Sequence, residues 1–258
     1  MLTHFAHASA LRRIVGSSGS YAKNVSRPPW WSTAVHSLIV TLITIREDPK
    51  MAAMTDTVWA VRHGQRQDTV DPDWELTASR VHDPGLTELG RWQAWRCGRY
   101  LVDNAVSFNA IYCSPFLRTV QTTAEICGEI GGTAWLEPGL GEHRNSEWFE
   151  SDPETLSAET LTDYFDPIRN NHEPFVVPDF PEGHDEAERR AGAAARRAAD
   201  THDGDVLLVG HGLTIGGVVR GLVGSTDGVD APLCGITRID RVGDEWKLRF
   251  SGKVDHLE

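Results

Sequence analysis

The chain has 258 residues, enough for one large α/β domain or two small ones, with a substantial core. Its 40% apolar and 24% charged content is ordinary for a soluble globular protein. Thirty-seven acidic against 25 basic residues give a formal net charge of −12, a surface that repels nucleic acid and anionic membrane. Neither is therefore expected as a partner, and any anion-binding site must be a local basic pocket.

Residues 1–54 are mildly basic and Ser-rich. Their apolar run at 38–45 is far short of the roughly 20 residues a membrane helix needs. Arg12-Arg13 is followed by no apolar stretch of the kind a secretion signal carries. With Met51 and Met54 just ahead of the first core strand, this segment is expected to be a disordered extension or an upstream mis-start, and the domain proper to cover 55–258. Residues 57–61 form an apolar run that breaks into Arg62-His63-Gly64-Gln65-Arg66, as a central parallel strand would on leaving a sheet. Thr87 is an N-cap with Glu88 in the first turn, which predicts a helix to about Val102. Residues 108–114 read as the next strand, ended by Pro115; 119–128 as a helix; and 134–136 as a short strand.

Residues 139–182 lack periodicity and are rich in Asp, Glu, Pro and Asn. That is too long for a simple connection, so they are expected to form a partly helical cap or specificity insertion. An Ala/Arg helix follows over 187–199, with Asp185 and Glu186 near its positive end. Residues 205–209 are a buried strand, then come Gly210-His211-Gly212 and a helix over about 213–222. The segments 235–240 and 245–250 alternate as two antiparallel strands about a turn at 242–244. Alternating β and α units imply a three-layer α/β/α fold with a mostly parallel central sheet and a cap insertion.

Cys97, Cys113, Cys127 and Cys234 show neither CxxC pairing nor zinc-ligand spacing, and they read as reduced, buried side chains of a cytoplasmic protein. His82, Asp83, His172 and His184 show no ligand spacing either. No metal and no cofactor are expected.

Two of the cleanest strands end alike, in Val61-Arg62-His63-Gly64 and Val209-Gly210-His211-Gly212. Open α/β sheets bind ligands at the carboxyl ends of their strands, so His63 and His211 can meet in one pocket. Gly64 and Gly212 would let backbone approach a ligand, and the helix after His211 would point its N-terminal amides at an anion. A third strand ends at Ser114-Pro115-Phe116-Leu117-Arg118. Arg62, Arg66 and Arg118 then form a cationic group in an acidic protein, and their planar forks suit phosphoryl oxygens. A lone strand-end histidine is more often structural than catalytic. The weight lies in the co-occurrence.

These residues resemble the histidine phosphatases, the phosphoglycerate mutase-like superfamily, over residues 57–222. The resemblance is carried by Arg62-His63-Gly64; by Leu86-Thr87-Glu88-Leu89-Gly90 with Gln93-Ala94; by Ser114 to Thr122; and by Gly210-His211-Gly212. It implies that His63 is the phospho-acceptor and that Arg62, Arg118 and His211 bind the phosphoryl oxygens. A glutamate after the third strand would be the proton donor: Glu142 fits best, with Glu137 and Glu147 as fallbacks. Glu142 would be kept protonated by its setting, and the arginines would do the electrostatic work that magnesium does elsewhere.

Mutase members follow RHG with Glu, whereas this chain has Gln65-Arg66-Gln67-Asp68 and an aromatic-containing loop at 71–74. That looks nearer the branch that includes the ecdysteroid-phosphate phosphatases, in which the second arginine, here Arg66, also contacts phosphate. The implied function is a metal-independent phosphoric monoester hydrolase of the histidine acid phosphatase type, acting on a small-molecule phosphomonoester. The alternatives are a phosphoglycerate mutase-type phosphotransferase or a non-catalytic phospho-ligand binding module. Trp74, Trp148 and Phe149 are expected at the pocket mouth, as walls for an aryl leaving group or as loop anchors. His143 and Arg144 line the pocket or lie on the surface. The oligomeric state is not legible.

Overall fold

The computed structural model describes residues 55–258, so the extension or mis-start expected at 1–54 lies outside the described residues. Strand β1 (Thr55–Arg62) is followed by a short helix α1 (Trp74–Thr77) and the long α2 (Glu88–Asp103). Strand β2 (Ala110–Cys113), helix α3 (Leu117–Ile130) and strand β3 (Ala134–Leu136) come next. The segment read as a cap holds α4 (Ala158–Tyr164) and β4 (Ile168–Arg169). The chain closes with α5 (His184–Thr201), β5 (Gly204–Gly210), α6 (Gly212–Val223), β6 (Ile236–Val242) and β7 (Glu245–Lys253).

The strands form one seven-stranded sheet in the order β4-β3-β2-β5-β1-β6-β7. Pairings from β4 through to β1 are parallel, while β6 pairs antiparallel with both β1 and β7. This is the three-layer α/β/α architecture expected of alternating β and α units. The central strands are apolar on both faces because both faces are covered. In β1, Trp59 and Val61 join the core that includes Ala94 and Cys97 of α2 and Val120 and Ile126 of α3, while Val58 and Ala60 join the core made with α5 and α6.

Thr87 caps α2 as its sequence predicts, its hydroxyl accepting from the Gly90 N–H at 2.9 Å, a bond worth about 1 kcal/mol. The four cysteines are free and buried. Among the described residues, no helix is long and apolar enough to cross a membrane.

The 139–182 segment differs from its reading in one respect. Strand β4 pairs in parallel with β3 as an edge of the sheet, so this part of the segment extends the scaffold. Two residues are too few for any periodicity, and sequence alone cannot show such a strand.

Candidate active site

The pairing of β1 with β5 sets Arg62 opposite Gly210, and the ladder continues through the His63 N–H, which donates to the Gly210 carbonyl at 3.0 Å. His63 and His211 therefore leave adjacent strands side by side, with ring centroids 5.3 Å apart. On the other side of β5, the Ser114 N–H donates to the Val209 carbonyl at 3.0 Å. Ser114 Oγ thereby comes within 2.8 Å of His211 Nε2. Three neighbouring strand ends thus deliver one constellation. Sequence reading missed Ser114 as a partner of His211, although the residue stands in the motif that ends at Arg118.

His63 is 1% exposed. Its Nδ1 lies 2.8 Å from the Gly64 carbonyl. A carbonyl only accepts, so Nδ1 carries the proton and Nε2 keeps a lone pair. That Nε2 has no hydrogen-bond partner among the described residues. Burial, and then the neighbouring Arg118 and His211, hold the His63 pKa well below 6.5. The imidazole is neutral at neutral pH. Burial likewise pulls His211 down to about 4, against an opposing pull from Glu142.

Arg118 lies in the first turn of α3, whose first N–H, from Leu117, donates to the Asp83 carboxylate at 2.7 Å. The guanidinium is 1% exposed and packs 4.6 Å from the centre of the Phe116 ring. Its Nη2 donates to Glu142 Oε2 at 3.1 Å, while Nε and Nη1 have no partner among the described residues. Arg62 donates to the Ala231 carbonyl at 2.6 Å, with its buried Nε likewise unpartnered. Arg66 is held by Asp68 at 2.9 Å. Buried cationic N–H groups without partners are costly, and here they point to an anion as the ligand.

Glu142 is the carboxylate that the fold brings to the histidines. Its Oε2 is 3.1 Å from Arg118 Nη2 and 3.3 Å from His211 Nδ1, the latter outside hydrogen-bonding geometry. Glu137 is buried away from the cleft as a strut, accepting from Gly139, Phe175 and Val176 N–H groups and 2.9 Å from His172 Nε2. Glu147 is exposed. The expectation that its setting keeps Glu142 protonated is not met. Burial favours the neutral acid, but proximity to His211 and to the Arg118 cation outweighs it. Burial leaves His211 neutral at neutral pH, so the permanent charge of Arg118 is what holds the carboxyl well below 4.5 there. Glu142 is ionised in the ligand-free site.

Arg62, Arg66, Arg118, Glu142 and Gly212 line a cleft of about 750 Å³, while His63 and His211, both buried, are not among its lining residues. Trp74, His82, Trp148 and Phe149 line it too, together with Asp68, Asp71 and Glu75. Of the 139–182 segment, only Glu142, Trp148 and Phe149 line the cleft; much of the rest of the lining comes from residues 66–84. A Cβ on Gly64 would come 2.4 Å from the Gly90 carbonyl oxygen. Its small size lets β1 and the start of α2 touch. Gln65 belongs to the same joint, through the Thr87 hydroxyl at 2.8 Å and Gln93 at 3.0 Å.

His143 and Arg144 are neither pocket-lining nor superficial. His143 Nε2 donates to the Glu182 carbonyl at 3.0 Å, and Arg144 pairs with Asp152. A ring nitrogen of His63, one of His211 and a Glu142 oxygen lie within 4.8 Å of one another, which is a possible metal-ligand set. The Arg118 guanidinium on the same carboxylate oxygen opposes a cation there.

The sequence model of the histidine phosphatase superfamily (branch 1) matches residues 58–253. The match is to the superfamily branch and does not extend to the histidine acid phosphatase type. Ecdysteroid-phosphate phosphatase of Drosophila melanogaster is 26% identical over 186 residues, covering 65% of this chain and 24% of that protein. The chain thus spans about a quarter of that relative's length. A 2,3-bisphosphoglycerate-dependent phosphoglycerate mutase of Brucella ovis is 33% identical over 107 residues, 41% of this chain and 47% of the mutase. The crystal structure of ecdysone phosphate phosphatase from the silkworm (Bombix mori), in complex with tungstate, superimposes with a TM-score of 0.63 at 22% identity. The match covers 75% of this chain and 91% of that one, a likeness of fold.

Proposed function

The chain belongs to the histidine phosphatase superfamily, branch 1, and on that premise we propose that it is a phosphoric monoester hydrolase working through a phosphohistidine on His63. The observation that carries this reading is the His63 Nε2 lone pair, fixed by the Nδ1 bond to Gly64 and unpartnered beside a guanidinium with two free donors. The free N–H groups of Arg118 and Arg62 take the non-bridging oxygens of a phosphoryl group, with His211 and Arg66 completing the shell. The Nε2 lone pair forms the N–P bond as the P–O bond to the leaving group breaks. The leaving oxygen takes that electron pair and a proton from Glu142.

In the ligand-free site Glu142 is ionised, and an incoming phosphoryl dianion offsets the arginine charge that holds its pKa down. Its proton affinity therefore rises when substrate binds. In the second half, Glu142 takes a proton from water as the water oxygen bonds to phosphorus. The P–N bond breaks, returning its electrons to Nε2 and releasing phosphate.

Besides the arginines, the cleft lining is aromatic and acidic, with Trp74, Trp148, Phe149, Asp71 and Glu75, and on this reading these residues meet the leaving group. This lining suits an aryl or other flat apolar leaving group, neutral or cationic. It opposes one that carries a second anion, such as phosphoglycerate. The similarity to the mutase keeps phosphotransfer as the second reading, separated by whether phosphate appears free in solution or moves between positions of phosphoglycerate. His63→Ala tests the proposal: p-nitrophenyl phosphate hydrolysis should fall to background, and an undiminished rate refutes the nucleophile assignment.

A further inference from the structure

The loop that carries Glu142 is gripped from beneath by one buried guanidinium. Arg190, on α5, is 7% exposed. Its Nη1 donates to the carbonyls of Gly139 at 2.8 Å and Gly141 at 3.2 Å, and its Nη2 to the carbonyl of Glu142 itself at 3.1 Å. The remaining face of the fork is held by Glu182, with Nε to Oε2 at 2.9 Å and Nη2 to Oε1 at 2.5 Å. Glu182 also accepts from the Arg144 N–H at 3.1 Å, so one ion pair holds the backbone on both sides of Glu142. From α6, Thr214 Oγ1 donates to the Leu140 carbonyl at 3.0 Å, which ties the same loop to the helix that His211 immediately precedes.

We infer that Arg190 is a positioning residue for proton transfer by Glu142. It lines no part of the cleft, and its hydrogen bonds go to backbone carbonyls and to the Glu182 carboxylate, none to the Glu142 side chain. Its effect passes through three carbonyls of one loop, those of Gly139, Gly141 and Glu142, which fix where the Glu142 carboxylate stands relative to Arg118 and His211. The planar fork is what the task requires. A lysine could keep a charge opposite Glu182, but it cannot donate to three carbonyls and two carboxylate oxygens in one plane. The surroundings add to the argument, because a buried arginine with every donor directed at backbone and one carboxylate is a dear way to hold a loop that any apolar contact could hold. A displacement of about 1 Å in a reacting group can cost about 10²-fold in rate.

The inference rests on Glu142 being the proton donor, and the experiment keeps the two apart. kcat/KM is measured for Arg190→Lys and for Glu142→Gln on p-nitrophenyl phosphate, whose leaving group needs no proton, and on an alkyl phosphate, whose alkoxide does. Folding is checked by circular dichroism and melting. Both variants should lose at least about tenfold more on the alkyl ester than on the aryl ester, a part of the ~10²–10⁴-fold that general acid catalysis supplies.

Equal losses on the two esters for Glu142→Gln overturn the proton-donor reading itself. A selective loss for Glu142→Gln with an equal loss for Arg190→Lys overturns only the role of Arg190. If Arg190→Lys does not fold, the double variant Arg190→Met/Glu182→Met removes both buried charges together, which proteins tolerate far better than removal of one. The same selective loss is expected of it, and equal losses there also overturn the role.

Discussion

Replacing Arg118 by methionine tests whether the proposed phosphate grip draws its strength from burial. Arg118 is 1% exposed and has two N–H-bearing nitrogens, Nε and Nη1, without partners among the described residues. Arg66 is already paired with Asp68, and its side chain is 31% exposed. A hydrogen bond to a charged group contributes about 1.5–3 kcal/mol when buried. Two such bonds to a phosphoryl group amount to about 3–6 kcal/mol. Each 1.36 kcal/mol is tenfold in rate, so Arg118→Met should lower kcat/KM by roughly 10²–10⁴-fold. Arg66→Met gives up a screened, shared contact and should lose about tenfold or less. The assay is steady-state hydrolysis of p-nitrophenyl phosphate, with melting curves to confirm that both variants fold. A loss for Arg118→Met no larger than that for Arg66→Met would refute the reasoning, because burial would then not be what gives the grip its strength.

Trp148 is 59% exposed at the cleft mouth. Its replacement by alanine should cost aryl phosphates about 2–10-fold relative to sugar phosphates, the equivalent of one aromatic contact of about 0.5–1.5 kcal/mol; unchanged relative rates remove the aromatic-wall idea. Gly64→Ala puts a methyl group 2.4 Å from the Gly90 carbonyl oxygen, an overpacking of about 1–3 kcal/mol. The melting temperature should drop by at least about 3 °C, whereas lost activity with unchanged melting would return Gly64 to a ligand role. Burial holds His211 and His256 at about 4, so between that value and the unfolded pKa near 6.5 the unfolded chain binds protons the folded one refuses. Their contribution is complete above about pH 6.5 and is lost as the pH falls toward 4. For His211 alone this is about 3 kcal/mol, so melting temperatures equal at pH 7.5 and pH 4.5 would contradict it.

The parts of the site that reside in single strand ends were legible in the sequence. Val61-Arg62-His63-Gly64 and Val209-Gly210-His211-Gly212 each combine a buried apolar run with an abrupt polar exit, and that pattern survives without knowledge of the partner strand. Their meeting depends on β5 lying between β1 and β2, which the α/β alternation implied only in outline. What depended on long-range partners was hidden. Arg190 reads in sequence as one more charge on a solvated Ala/Arg helix, yet it is buried against carbonyls about 50 positions earlier in the chain. The ionisation of Glu142 is set by Arg118 and His211, 24 and 69 positions away. The packing of Gly64 against Gly90 is hidden in the same way. A short edge strand such as β4 has no period to read.

The central claim is a covalent phosphoryl group on His63, and a trapping experiment tests it most directly. Glu142→Gln should transfer the phosphoryl group readily from p-nitrophenyl phosphate, which needs no proton on its leaving group, and then hydrolyse the intermediate slowly for want of a base. Mixed with that ester, quenched in alkali, digested and analysed by mass spectrometry, this variant should carry the phosphoryl group on the peptide containing His63. The adduct should be absent when His63→Ala is added. A phosphoryl group on His211, or continued turnover of the wild-type protein with no phosphoryl group on any histidine, would contradict the account.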